Sequence, residues 1–386
     1  MNYIFIAPNF PPNYKYFAIY LKAEGVTVLG IGSEPYNLLD SDLKATLSEY
    51  YKVDNINNYD QMLRACAYLS FKHGKIDRIE SHNESWLKLE AKLREDFNVP
   101  GLTKSDLNIL KSKSLTKEQL EKAGFTVPKG RIVKNFEDAK SLINQIHYPV
   151  CVKPENSLGG EYTYKLGNDE ELKKFFAEKP EIDFIMEEFV QAPIVTLDGL
   201  VDKDGNLVSI SSMHYATGHM ETILENLDSI FYIQRKISED LIEIGQNILG
   251  IFNIKERFFH LEFFRLPDGK LLVLDIKARP PCGLCLDAIN YAEDSDIYQQ
   301  YARMIARKEL KPIIDKPYYS SFIGLKINPI PPKHNINEFR ELYENMIVYN
   351  APSPPQFASL MGEYVVILRD SDEEILKKAI EFLIER

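Results

Sequence analysis

One stretch, residues 258–279 (FFHLEFFRLPDGKLLVLDIKAR), constrains the fold more than any other part of the chain. Two apolar runs flank Asp268 and Gly269, a strong two-residue turn signal, because glycine accepts the φ > 0 that such turns require. With those two residues as the loop, Glu262 falls opposite Asp275 and His260 opposite Lys277. Side chains alternate along a strand, so His260, Glu262, Asp275, Lys277 and Arg279 share one face, while Phe259, Leu261, Phe263, Leu274, Ile276 and Ala278 take the other. Directly opposed residues have Cβ atoms about 4.5–5.5 Å apart, where two carboxylates repel. Positive charge must sit between them, supplied by a bound cation or by Lys277 and Arg279. The first makes the face a binding site. The second makes it a structural ion ladder. The hairpin by itself leaves both open.

The chain has 386 residues, which predicts two or three subdomains, and 45% apolar residues, enough for a substantial core. Its formal charge of −11 argues against a general nucleic-acid or membrane-surface role, yet admits a local basic pocket for a polyanion such as a nucleotide. No apolar run approaches the roughly 18 residues of a membrane span. Residues 1–8 read as a first strand rather than a secretory leader, so a cytoplasmic location is expected. Of the four cysteines, Cys282 and Cys285 form a Cys-x-x-Cys. A structural zinc site needs a second ligand pair, and none is visible. A redox dithiol belongs at the start of a helix, whereas this motif reads as a loop after a strand. Reduced structural thiols are therefore expected.

Residues 3–7, 26–31 and 76–81 read as strands interleaved with helices at 16–23 and 84–96, an open α/β sheet. Where a dinucleotide-binding turn carries G-x-G-x-x-G, residues 8–13 read PNFPPN, which disfavours pyrophosphate binding there. Two helices, 105–112 and 116–123, precede a breaker at 124–128. Strands at 148–153, 162–165 and 184–190 and a helix at 169–177 follow. Residues 211–238, of mixed polarity, read as a covering loop in which His214 and His219 either touch a substrate or, the commoner case, are solvated. A proline-punctuated tail ends in a strand at 364–368 and a helix at 373–384. His82 and Glu84 follow a strand at a usual ligand edge, but Glu84 reads equally as the N-terminal charge of a helix. Trp86 reads as packing.

Lys153 closes a buried strand and is followed by a glycine-containing loop at 156–160. A point charge beside free backbone N–H groups makes a phosphate cradle. Such a pairing occurs in many folds, and on its own it is not specific.

Taken in order, the motifs are more specific. They are Lys113, eleven residues before Gly124; Tyr148-Pro-Val-Cys-Val-Lys153-Pro; the loop with Ser157, Gly159 and Gly160; Ile185-Met-Glu187-Glu-Phe-Val190; His260-Leu-Glu262; and Asp275-Ile-Lys277-Ala-Arg279. Over residues 1–310 this series resembles the ATP-grasp superfamily of carboxylate–amine and carboxylate–thiol ligases. The resemblance implies an α/β and α+β ATP-grasp fold. Its parts would be an N-terminal open α/β (pre-ATP-grasp) domain at 1–105, small and large nucleotide-binding lobes at 106–190 and 191–310, and a small C-terminal α/β appendage at 311–386. It implies that Lys113 and Lys153 hold the α and β phosphates of ATP and that Ser157, Gly159 and Gly160 belong to the lid. Glu187, Glu188, Phe189 and Val190 form the adenine hinge. Glu262 and Asp275 bind Mg²⁺, with Mn²⁺ as an alternative. Arg279 steadies the acyl phosphate or the substrate carboxylate. The partners implied are a small-molecule carboxylate and an amine, with no nucleic acid or membrane. The oligomeric state stays open, a homodimer being one option.

Three positions depart from the family pattern. Lys277 stands where a metal-binding asparagine is usual, and an ammonium has no lone pair to offer a metal. It either points away or replaces one of two metals by pairing with Asp275, which assigns it to the catalytic group with Arg279. Asp275 is one methylene shorter than the usual glutamate. Ile194 falls where an acidic residue commonly binds ribose hydroxyls. These departures keep a second reading alongside the ligase: a catalytically degenerate ATP-grasp protein that binds nucleotide in a regulatory role.

Overall fold

A computed structural model describes residues 1–156, 162–310 and 316–386. The first sheet contains β1 (Asn2–Ile6), β2 (Thr27–Gly32), β3 (Glu49–Lys52) and β4 (Arg78–Glu80), all parallel in the order β3-β2-β1-β4. Helices Lys15–Ala23 and Tyr59–His73 lie between these strands in the chain. Parallel strands are covered on both faces and so lose polar alternation. β1 shows this, with Tyr3, Ile4, Phe5 and Ile6 all fully buried.

The second sheet is an antiparallel lobe of β5 (Gly130–Val133), β6 (Val150–Pro154), β7 (Tyr164–Leu166) and β8 (Phe184–Glu188), in the order β5-β8-β6-β7. Helices Phe136–Ile146 and Asp169–Glu178 close a core of its own around Val150, Val152, Phe175 and Phe184. The third sheet holds β9 (Ile194–Val201), β10 (Leu207–Ser211), β11 (Met213–Tyr215), β12 (Ser229–Ile233), β13 (Arg257–Arg265), β14 (Leu271–Lys277), β15 (Tyr319–Leu325), β16 (Ile347–Pro352) and β17 (Tyr364–Asp370). Its order is β14-β13-β9-β11-β12-β15-β17-β16, with β10 paired to β9. The C-terminal strands thus extend the large-lobe sheet, and Phe231 of β12 stacks on Phe322 of β15 with centroids 4.8 Å apart.

The segment 211–238, expected as a covering loop, is instead β11, the short helix His219–Leu224 and β12. Part of its mixed polarity comes from β11, whose His214 and Tyr215 line a cleft, a pattern that polarity by itself does not separate from a loop. His214 is half-buried on β11 rather than solvated.

The hairpin β13–β14 has the expected pairs, Glu262 with Asp275 and His260 with Lys277, by a different route. Its turn contains three residues, Pro267 to Gly269. The Leu266 N–H donates to Lys270 O at 2.9 Å, and Gly269 sits at φ +86°. The register shifts by one between Glu262 and Phe263, because Leu274 bulges out of the ladder. The bulge cancels the longer turn. It also moves Leu274 to the cleft face, whereas Phe259, Leu261, Phe263, Ile276 and Ala278 remain in the core behind the sheet.

The first domain docks against the third sheet through aromatic rings and buried charge. Phe17 meets Tyr298 edge-on at 4.7 Å and Phe258 at 5.5 Å. Arg257 donates to Glu80 at 2.9 Å. His82 belongs to this seam and not to a ligand edge: it stacks on Phe17 at 4.2 Å, and burial lowers its pKa to about 3.

Candidate functional site

A cleft of about 600 Å³ opens between the antiparallel lobe and the third sheet. β6 and β8 supply Lys153, Glu187 and Glu188, and residues 189–194 form the back. β13 and β14 supply His260, Glu262, Asp275 and Lys277, with Arg279 just beyond. Lys113, at the start of the helix Lys113–Lys122, completes the ring. Every site residue expected from the sequence lines this cleft except Ser157, Gly159 and Gly160, which lie outside the described residues.

Lys113 is placed by Glu155, a residue that no sequence motif singles out. The Glu155 carboxylate accepts from Ser112 Oγ at 2.5 Å and from Ser114 N at 3.1 Å, so it caps the lysine's helix. Lys113 Nζ donates to Pro154 O at 2.9 Å, which ties that helix to β6. Burial lowers the Lys113 pKa to about 8, and Lys153 and Lys277 add repulsion while Asp275 partly offsets it. A cation pressed on by other cations is matched to a polyanion.

Lys153 is also held from below. Its Nζ lies 2.8 Å from Glu187 Oε2, and Lys117, another residue missed in the sequence, pairs with Oε1 of the same carboxylate. Burial opposes charge on Lys153, but Glu187 outweighs it, and the ammonium is held above the ordinary lysine range. Glu187 therefore acts as a buried counter-ion beneath the cleft floor. At the neighbouring hinge, the Glu188 and Phe189 N–H groups donate to Lys129 O at 2.9 Å and Pro149 O at 3.3 Å. Ile194 presents an apolar wall there.

Of the two positions considered for Lys277, the structure shows the paired one: Nζ lies 3.0 Å from Asp275 Oδ2. His260 Nδ1 lies 2.6 Å from Asp198, and Nε2 lies 3.6 Å from Glu262. Arg279 Nε donates to Glu84 at 2.8 Å and Nη1 to Pro280 O at 2.6 Å, leaving Nη2 as the remaining arm of the guanidinium. The Glu84 carboxylate also holds Lys111 at 3.2 Å. Burial opposes its charge, yet Arg279, Lys277 and Lys111 lower its pKa to about 2. Glu84 does begin a short helix, as expected, but its carboxylate serves to orient Arg279.

These residues suit ATP and a divalent ion. Four cations surround a cleft whose floor carries the opposed carboxylates Glu262 and Asp275. Mg²⁺ commonly takes one or two carboxylates and completes its shell with water and phosphate oxygens. Among the described residues no cluster of three His, Cys, Asp or Glu could hold a metal by protein ligands alone. No helix among them is long and apolar enough to cross a membrane.

One expectation concerns pH. With phosphate at Lys113 the ammonium form would be favoured, so nucleotide binding above about pH 8 would take up a proton. Affinity for ATP is expected to be insensitive to this group below that pH and to fall above it, by at most about tenfold per pH unit. Calorimetry in buffers of different ionisation enthalpy reads both quantities. Lys113→Arg, which stays charged, should flatten the profile. A flat wild-type profile between about pH 7 and 10 counts against Lys113 as a phosphate ligand.

Fold and site together define a two-lobed α/β protein built around a cationic cleft. Residues 112–225 match the family described as carbamoyl-phosphate synthase L chain, ATP binding domain. The carbamoyl phosphate synthase large chain of Archaeoglobus fulgidus is 22% identical over 230 residues, covering 55% of this chain and 20% of that one. This chain thus spans about a fifth of that relative's length. Among solved structures, the L-amino acid ligase from Bacillus licheniformis superposes with a TM-score of 0.74 at 15% identity, covering 99% of this chain and 96% of that one. N5-carboxyaminoimidazole synthetase from Staphylococcus aureus, complexed with ADP, gives 0.72 at 15% identity, with 100% and 97% coverage. The chain has an ATP-grasp fold, and residues 112–225 are similar to the ATP-binding domain of the carbamoyl-phosphate synthase large chain.

Proposed function

We propose that this protein is an ATP-dependent ligase that activates a small carboxylate as an acyl phosphate and transfers the acyl group to an amine or thiol. The observation that carries this reading is the convergence of Lys113, Lys153, Lys277 and Arg279 on one cleft with opposed Glu262 and Asp275. A carboxylate oxygen attacks the γ-phosphorus of ATP, and the bond to ADP breaks. The nucleophile then attacks the acyl carbon, and phosphate leaves with that carboxylate oxygen. Negative charge builds on the transferring phosphoryl group, so cations fixed in advance stabilise the transition state. Lys113 and Lys153 hold the phosphate chain, and Arg279, oriented by Glu84, holds the carboxylate or acyl phosphate. Glu262, with Asp275 opposite it, would hold Mg²⁺, which would supply charge neutralisation at the phosphate oxygens.

The test is ADP and phosphate release with a panel of carboxylates and amines, using oxygen-18-labelled carboxylate. Label in the released phosphate supports the acyl phosphate. Nucleotide binding without release under any pairing supports the second reading, a nucleotide-binding protein that has lost catalysis, which the 3.0 Å Lys277–Asp275 pair favours.

A further inference from the structure

The Cys-x-x-Cys motif lies in a setting that its sequence did not suggest. Cys285 is the first residue of the helix Cys285–Glu293, and both Cys282 and Cys285 line the cleft near Arg279. Cys282 is exposed and Cys285 is buried. The Cys285 N–H donates to Cys282 O at 3.4 Å, with Gly283 at φ +61° and Leu284 at φ −99°, ψ 18°. A four-residue turn of this kind holds its end Cα atoms within about 7 Å, and a disulfide spans Cα separations of about 4.4–6.8 Å. The backbone here is also held in place from outside. A Cβ on Gly283 would collide with Met361 Sδ, so Met361 packs directly on the turn. Neither thiol has a part in the ligase chemistry above.

We propose that Cys282 and Cys285 form a thiol-modification site on the cleft wall, which a hydroperoxide converts to an intramolecular disulfide. The exposed Cys282 reacts first. Its sulfur attacks the peroxide, the S–O bond forms, the O–O bond breaks and one water leaves. Cys285 sulfur then attacks the sulfenic sulfur, the S–S bond forms, the S–O bond breaks and a second water leaves. The two thiols lose two electrons and two hydrogens, and hydrogen peroxide is reduced to two waters. Burial raises the Cys285 thiol pKa well above its ordinary value, so Cys285 stays a thiol while the exposed Cys282 meets the peroxide first, and it gives up its proton only as the S–S bond forms. The bridge closes three residues after Arg279, on the stretch of cleft wall that both thiols line. Its effect therefore falls on the carboxylate end and not on Lys113 and Lys153.

The test treats the full chain with hydrogen peroxide and maps its thiols by mass spectrometry. The expected product is a Cys282–Cys285 bridge formed ahead of any change at Cys66 or Cys151. Cys285→Ser should stop at a sulfenic acid on Cys282 that dimedone traps, and Cys282→Ser should leave position 285 unmodified. This arm needs no ligase activity, so failure of the proposed function leaves it intact. A second arm rests on that function: carboxylate-dependent phosphate release should fall by about tenfold on oxidation and return with dithiothreitol, while ATP affinity changes less than about twofold. Oxidation at Cys151 in preference to Cys282, or a bridge that leaves phosphate release unchanged in an active ligase, would overturn the proposal.

Discussion

Lys153→Met is expected to lower ATP affinity by about 10- to 150-fold, the loss of a charge-assisted hydrogen bond worth about 1.5–3 kcal/mol. The same substitution should reduce Tm by several degrees. Lys153 is one of two cations on Glu187, which is only 4% exposed, so its removal takes away one of the two ion pairs that hold this buried carboxylate and leaves Lys117 as its remaining partner. Breaking a buried pair costs about 3–5 kcal/mol, and Lys117 should hold the loss to the lower end. The two effects separate in a second variant. Lys117→Met removes the other cation on Glu187, a side chain outside the cleft lining, and should cost comparable stability with little loss of ATP binding. Thermal melts and calorimetry on both variants decide the matter. Unchanged ATP affinity in Lys153→Met would remove Lys153 from the phosphate path.

Lys277→Asn should change the metal content of the site. With its Nζ 3.0 Å from Asp275, the ammonium stands where a second ion would otherwise share that carboxylate. A unit charge about 4 Å from a divalent ion repels it by roughly 8 kcal/mol at an effective dielectric near 20. The wild-type protein with ATP is therefore expected to hold at most one Mg²⁺, near Glu262. Asparagine removes the repulsion and adds an oxygen ligand, so the variant should bind a second ion and show tighter Mg²⁺-dependent ATP binding. Glu262→Gln should abolish metal dependence in either background, because a neutral amide is a poor Mg²⁺ ligand. Electron paramagnetic resonance with Mn²⁺ counts the ions without recourse to turnover. Two ions in the wild-type protein would refute the displacement of a metal by Lys277.

Much of the cleft was legible in the chain, and the hairpin shows why. Alternation places Glu262, His260, Lys277 and Asp275 on one face whatever the rest of the molecule does, because the strand period is a property of the backbone. The exact turn was not legible. Pro267 joins the loop and Leu274 bulges, two one-residue changes that cancel at Glu262 and Asp275 but move Leu274 into the cleft. The order of Lys113, Lys153, Glu187, Glu262 and Arg279 was readable as a family pattern, and all five line the cleft.

The sequence by itself thus determined which side chains carry the charge and which face of each strand they occupy, since both follow from neighbours a few residues apart. Only the tertiary structure decided what holds those charges. Glu84 grips Arg279 from 195 residues away, and Glu155 caps the helix of Lys113 across 41 residues. Lys117 shares Glu187 with Lys153, and the pair Cys282 and Cys285 faces the cleft at a helix start. Such contacts arise where separately folded elements dock. Their geometry is set by packing between surfaces distant in the chain, and no local period or turn signal records it.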